Sequence, residues 1–185
     1  MADFFTSDAG QFAMLAKQFL EGARTLDAAQ RDKGKILLRP TLALAGHGLE
    51  LMLKACVYLN GQVPQTSGSR GHDIINLWDK DICESVKRHV FANACRIATE
   101  DRESGIYHDV PTQDEILPLI EEYVVSLGKL HGDAPYALRY PTNPDQMAPR
   151  TPLLVKSLWG ASDDLLKRPN EFIMHDFSGK TESEI

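Results

Sequence analysis

The stretch that most constrains the fold is residues 40–61, PTLALAGHGLELMLKACVYLNG, which is apolar on almost every side of a helix. A helix of this kind is buried inside a domain and does not lie on its surface. Its few polar side chains, His47, Glu50 and Lys54, recur at helical spacing and therefore share one stripe. We expect a central buried helix that carries one ordered polar stripe.

The length and composition of the chain are those of a soluble protein with one domain. It has 185 residues, of which 43% are hydrophobic and 25% charged, enough to bury a core. The formal charge of −6 argues against non-specific coating of nucleic acid, which requires a cationic surface. No signal-peptide pattern and no charge-free apolar run of membrane-spanning length occurs, so we expect a cytoplasmic protein without membrane contact.

The spacing of the cysteines and the absence of short catalytic motifs argue against a metal centre or a bound cofactor. Cys56, Cys83 and Cys95 lie in predicted helices and lack CxxC or other ligand spacing. We expect reduced thiols in the core and not a disulfide framework or a zinc site. The chain contains no glycine-rich phosphate loop, no HExxH and no GxSxG. The sequence therefore indicates no metal and no cofactor.

Helical periodicity predicts about five helices and no convincing strand. Ser7 or Asp8 suits the cap of the first helix, which we expect to end near Gln30. After the central helix, residues 61–71 are rich in glycine and polar side chains and predict an exposed loop. A third helical stripe occupies residues 72–100.

The second half of the chain predicts two further helices. The charged residues 79–81 bend or interrupt the third helix, and Thr112 with Glu115 matches a capping box for the fourth. Pro118 lies inside that fourth pattern and predicts a later start or a kink. A long irregular proline-rich connection then leads to the last helix, residues 151–167, with Thr151 as its cap.

These elements predict an all-α bundle in a single domain at residues 1–168. The polar tail, residues 169–185, follows that domain. We expect about eight residues at its end to be disordered, while Phe172, Ile173 and Phe177 are apolar enough to dock part of it.

Three motifs occur in an order that resembles the HEPN-like superfamily (higher eukaryotes and prokaryotes nucleotide-binding type). They are Gly-Leu-Glu-Leu-Met-Leu-Lys-Ala in the central helix, Gly-His-Asp-Ile-Ile-Asn-Leu after the loop, and later Leu-Arg-Tyr-Pro. The resemblance covers residues 10–165 as an order of helices. It implies a compact helical bundle, commonly a homodimer, that binds RNA or a nucleotide in toxin–antitoxin, defence or stress systems, with a cognate protein as a further partner.

Active members of that superfamily cleave RNA without a metal, using Arg and His separated by four to six residues at a dimer groove. Arg102 with His108, and Arg168 with His175, have this spacing. Both pairs span a helix-breaking residue, whereas the pair of the superfamily lies on helical structure. The catalytic residues therefore stay unassigned, with Arg102 and His108 as the better candidates for an alternative function, a metal-independent endoribonuclease.

Polar residues from three segments form the predicted ligand-binding site. Burying Glu50 or Lys54 alone is costly, so each must meet the other or further polar groups. We expect the segments to converge on a pocket for an anion or a nucleotide-like group, with Lys54 and Arg139 contacting phosphate. The residues of this site are Glu50, Lys54, His72, Asp73, Arg139 and Tyr140.

The same residues also fit an internal network without a ligand. In that interpretation Asp73 caps a helix, His72 bonds to a backbone carbonyl, and Glu50 pairs with Arg139. The function would then be that of a helical interaction scaffold. Three other histidines fit structural positions, one in the core and two at helix surfaces or ends: His47, His89 and His131.

Overall fold

The structure is a computed structural model that describes residues 3–66, 72–105, 109–132, 136–140 and 148–174. Within these ranges the chain is helical and contains no strand, which confirms the all-α prediction. The proline-rich connection before the last helix falls largely outside them.

Six α-helices occur in the described residues. They are α1 (Asp8–Lys33), α2 (Leu38–Leu59), α3 (Ile74–Trp78), α4 (Glu84–Ser104), α5 (Gln113–Gly132) and α6 (Thr151–Lys167). Short 3-10 turns precede α1, join α1 to α2, precede α4 and follow α6. The predicted third helix is interrupted at the charged residues 79–81, as expected, and so forms α3 and α4.

Side-chain caps predicted from the sequence begin three of these helices. The Ser7 hydroxyl accepts a hydrogen bond from the first turn of α1. Asp73 accepts one from the backbone N–H of Asn76 at 2.9 Å. The Thr112 N–H donates to Glu115 at 2.8 Å, as in a capping box. Each cap satisfies an amide that the helix itself cannot pair.

One predicted cap is wrong, and one of the two expectations for Pro118 is excluded. α5 begins at Gln113, directly after the predicted cap Thr112, and includes Pro118, so the helix has no later start. Pro118 lies in the second turn and has no N–H, so the carbonyl oxygen of Asp114 loses its intrahelical donor. α6 begins with Thr151 inside it and has Arg150 at the cap position, without a side-chain bond.

α2 is the central helix of the bundle, as its composition predicts. α1 packs along it, α6 packs against both α1 and α4, and α5 contacts α2, α3 and α4. The most deeply buried side chains of α2 are no more than 1% exposed, and they include Leu42, Leu49, Met52 and Leu53. This packing brings the polar stripe of α2 into the interior.

The helical run Asp8–Leu59 is long and apolar enough, by length and composition, to cross a membrane. Of its most apolar window, 72% is buried inside the protein. The core helix of a soluble protein gives the same signal, so the absence of membrane contact stays a prediction.

The beginning of the predicted tail belongs to the core. Phe172 is fully buried, and its carbonyl oxygen accepts a hydrogen bond from the Asn60 side chain at 3.0 Å. The thiols of Cys56 and Cys83 are free and buried nearby, as predicted, and Cys95 is partly buried. Phe177 lies outside the described residues.

Candidate functional site

The polar stripe of α2 runs from a half-exposed end into the interior. The side chain of His47 is 35% exposed, whereas those of Glu50 and Lys54 are only 2% and 4% exposed. Successive members lie three and four residues apart, so they project from one face of the helix. Two other segments meet this face, the last turn of α5 and the residue two before α3.

The two carboxylate oxygens of Glu50 have different partners. Oε1 accepts a hydrogen bond from Nζ of Lys54 at 2.6 Å. Oε2 lies 2.9 Å from Nε2 of His131, 3.2 Å from Nδ1 of His72 and 4.0 Å from Nδ1 of His47. We call these five residues the Glu50 cluster.

The carboxylate of Glu50 is ionised. Burial by itself would raise the pKa of Glu50, but hydrogen bonds from His131, Lys54 and His72 outweigh this effect and hold the pKa at about 2. An ionised carboxylate only accepts hydrogen bonds, so Nε2 of His131 and Nδ1 of His72 carry the protons that they donate to it.

His47 is the member of the cluster nearest to solvent on α2. Partial burial lowers its pKa, and the nearby imidazoles of His131 and His72 lower it further, while the negative charge of Glu50 opposes the shift. Phe19 of α1 packs edge-on against the His47 ring, with the centroids 4.5 Å apart. The ring is therefore held in place on one side and open to solvent on another.

Two glycines allow the elements of the cluster to approach each other. A Cβ on Gly46 would lie 2.9 Å from Nδ1 of His131, so the imidazole rests directly on the backbone of α2. A Cβ on Gly132 would lie 2.9 Å from the carbonyl oxygen of His72, where α5 meets the segment before α3. Larger residues at either position would push a histidine away from Glu50.

The structure brings together half of the residues predicted for the ligand site. Glu50, Lys54 and His72 meet in the cluster, and Asp73 caps α3 beside it. Arg139 and Tyr140 are exposed, and the guanidinium of Arg139 lies 5.7 Å from the ring centroid of Tyr136. In the described part of the chain, neither residue forms an ion pair with Glu50, so the predicted Glu50–Arg139 pair is not found there.

Sequence reasoning allowed for His131 at a helix end, where it lies, but missed that it is only 6% exposed and donates to Glu50. The signal was present, because His131 continues the buried spacing of Ile120, Val124 and Leu127 along α5. The prediction that His89 lies at a helix surface or end is also corrected. It is 8% exposed and lies 3.2 Å from Asp164.

The catalytic candidates of the sequence do not join this cluster within the described residues. Arg102 donates to the carbonyl oxygen of Pro111 at 2.7 Å, and Arg168 pairs with Asp164 and Glu171. Both histidine partners, His108 and His175, lie outside the described residues.

Comparisons with known proteins add no assignment to this geometry. No protein-family model matches the chain, and neither a curated protein nor a solved structure is detectably similar to it.

Proposed function

We propose that the protein is a HEPN-like helical protein that binds a phosphate-bearing ligand, an RNA or a nucleotide, at the Glu50 cluster. The observation that supports the proposal is the meeting of two motifs that carry the resemblance. Glu50, from the motif in α2, and His72, from the motif before α3, are 22 positions apart in the chain and 3.2 Å apart in space.

The energetic cost of the cluster favours a role in binding. An apolar set of side chains filling the same space as a buried ion pair is often as stable as the pair or more so. The chain instead buries Glu50 and Lys54 and places imidazoles around the carboxylate of Glu50. We infer that this energetically costly arrangement is retained because it recognises a ligand.

The ligand reaches the cluster from the side of His47 and His72. These side chains are 35% and 40% exposed, whereas the side chain of His131 behind them is 6% exposed. Glu50 faces Nδ1 of both exposed rings, so their Nε2 atoms are directed elsewhere and offer hydrogen-bonding positions to a ligand.

Arg139 and Tyr140 are further proposed ligand contacts, which lie outside the Glu50 cluster. Both are exposed, and Tyr140 retains 60% of its accessible surface. A guanidinium pairs with phosphate oxygens, and an exposed aromatic ring stacks on a nucleobase. We therefore assign them contacts with the ligand outside the cluster.

Thermal unfolding in the presence of mononucleotides and short single-stranded RNA tests the proposal. We expect stabilisation of the wild type that is lost in His72→Ala and in the double variant Glu50→Gln/Lys54→Met. His89→Asn, at a buried histidine outside the cluster, should retain it. Equal stabilisation of the double variant would place the ligand outside the Glu50 cluster, and no stabilisation with any probe would leave a helical scaffold as the better interpretation.

The same RNA, incubated in EDTA, tests the alternative of catalysis. We expect intact RNA. Cleavage that disappears in His108→Ala would replace ligand binding with metal-independent endoribonuclease activity.

A further inference from the structure

We propose that His47, Glu50 and His131 form a binding site for a divalent first-row transition metal ion such as Zn²⁺. The ligand atoms are Nδ1 of His47, Oε2 of Glu50 and Nε2 of His131. This inference concerns a different ligand from the proposed nucleotide or RNA and does not depend on it. It also goes against the sequence, which shows no metal motif, because the third ligand comes from another helix 81 positions away from Glu50.

The spacing of the donor atoms fits an ion. All three lie within 4.8 Å of one another. A tetrahedral ion with bonds of about 2.0–2.2 Å holds its ligand atoms about 3.3–3.6 Å apart. The distances from Oε2 of Glu50 to the nitrogens of His131 and His47, 2.9 and 4.0 Å, bracket that range. To complete the geometry, the half-exposed ring of His47 must bring its Nδ1 closer to Oε2 of Glu50.

The chemistry of the donors selects the class of metal. Imidazole nitrogen suits zinc and its neighbours in the first transition row, whereas Ca²⁺ and Mg²⁺ are bound by oxygen ligands. Two nitrogens and one carboxylate oxygen from protein resemble, in number and type, the three-ligand sets that leave a fourth position open. The site therefore fits an ion with an open coordination position and not a fully enclosed structural ion.

Lys54 and His72 orient the carboxylate. Lys54 occupies Oε1 at 2.6 Å, which leaves Oε2 directed at the histidines. His72 donates to Oε2 at 3.2 Å from the exposed side. Outer partners of this kind fix the direction of a ligand and typically raise metal affinity by about 10–100-fold.

Metal binding requires that Nδ1 of His47 and Nε2 of His131 both be unprotonated, and for His131 this is a change of proton position. In the metal-free protein, Nε2 of His131 carries a proton and donates a hydrogen bond to Glu50. To bind the ion, this nitrogen must instead present a lone pair. The neutral ring achieves this when its proton moves to Nδ1, so no charge is gained or lost. The hydrogen bond between His131 and Glu50 is then replaced by two bonds to the metal.

The ion would change the charge of the site. Glu50 and Lys54 neutralise each other, so a bound divalent ion leaves the cluster cationic. Its open position would face the side of the half-exposed His47 and His72. An anionic oxygen could bind there, and only this last step rests on the proposed function, since a phosphate would supply such an oxygen.

Titration of the metal-stripped full chain with Zn²⁺ and Co²⁺, without any nucleotide, tests the proposal. Calorimetry measures affinity and stoichiometry, and the visible absorption of Co²⁺ reports the geometry of its ligands. We expect one ion per chain, with affinity at least about tenfold lower in His47→Gln and in His131→Asn. His89→Asn removes a histidine of similar burial outside the site and should bind like the wild type.

A further variant, His108→Ala/His175→Ala, removes the histidines that lie outside the described residues. It should also bind like the wild type. Loss of binding in this variant, or unchanged binding in folded His47→Gln, would overturn the assignment, as would a wild type that binds neither ion. If His131→Asn does not fold, as judged by circular dichroism, His47→Gln still decides, because its position is half exposed.

Discussion

Glu50 is an ionised carboxylate removed from water, and each of its oxygens has a hydrogen-bond partner. Its side chain is 2% exposed, and it faces Lys54, His131, His72 and, at a longer distance, His47. An isolated buried charge would be very unfavourable, so this carboxylate depends on the groups around it. Stability and the proposed ligand binding should consequently be coupled at this residue.

Glu50→Gln should lower the free energy of unfolding by about 3 kcal/mol, because it removes the carboxylate that neutralises buried Lys54. The double variant Glu50→Gln/Lys54→Met removes both charges and should lie within about 1 kcal/mol of the wild type. Urea unfolding of the metal-free proteins measures both values. A double variant no more stable than Glu50→Gln would show that the charge pair is not the source of the loss.

The stability of the metal-free protein should depend on Glu50 at acidic pH. The pKa of Glu50 is about 2 in the folded protein and about 4.3 in an unfolded chain, so its contribution is complete above pH 4.3 and is lost towards pH 2. Between pH 5 and pH 3 the wild type should lose about 2 kcal/mol more than the double variant. Equal losses in the two proteins would contradict the low pKa of Glu50.

The meeting of α2 and α5 is the packing contact on which the cluster depends. Gly46→Ala places a methyl group 2.9 Å from Nδ1 of His131, which must move or strain the helix pair. We expect a loss of about 1–3 kcal/mol in stability and weaker zinc binding.

Gly22→Ala is the matched control for Gly46→Ala. Its added methyl would lie 3.2 Å from the flexible tip of Leu44, away from the cluster. Unfolding and zinc titration should show this variant close to the wild type, since alanine also favours the helix. Equal effects of the two substitutions would contradict a specific role for the contact between Gly46 and His131.

At the scale of helices, the sequence predicts those features that depend only on residues close together in the chain. The apolar α2, its polar stripe and the cap at Asp73 follow from periodicity and from side chains near their own backbone. The contact between Glu50 and His131 does not, because it depends on how α5 packs across α2. The position of Arg139 was equally inaccessible, since an irregular segment has no periodicity from which its direction can be inferred.

At the scale of the whole molecule, the all-α class and the order of helices follow from the sequence, whereas their packing does not. α6 contacts both α1 and α4, although it lies far from either along the chain. The end of α6 is tied to α4 through Asp164, which pairs with His89 at 3.2 Å. Such contacts join polar residues on different helices. Helical spacing in the sequence shows which face of its own helix each residue occupies, and it does not show which residue of another helix it meets.

The resemblance to HEPN-like proteins predicts a homodimer. Light scattering after size exclusion should give a mass of twice the 20.6 kDa of the chain at micromolar concentration. A monomeric mass across the accessible concentration range would contradict the dimer while leaving the Glu50 cluster unaffected, because the described cluster is built within a single chain.

The central claim is that the Glu50 cluster binds a ligand and is more than an internal network of hydrogen bonds. The most direct measurement is anomalous X-ray diffraction at the zinc absorption edge from crystals of the zinc-loaded protein. We predict one peak per chain at about 2.0–2.2 Å from Nδ1 of His47, Oε2 of Glu50 and Nε2 of His131. A cluster without a peak, with His131 still hydrogen-bonded to Glu50, would contradict the metal site.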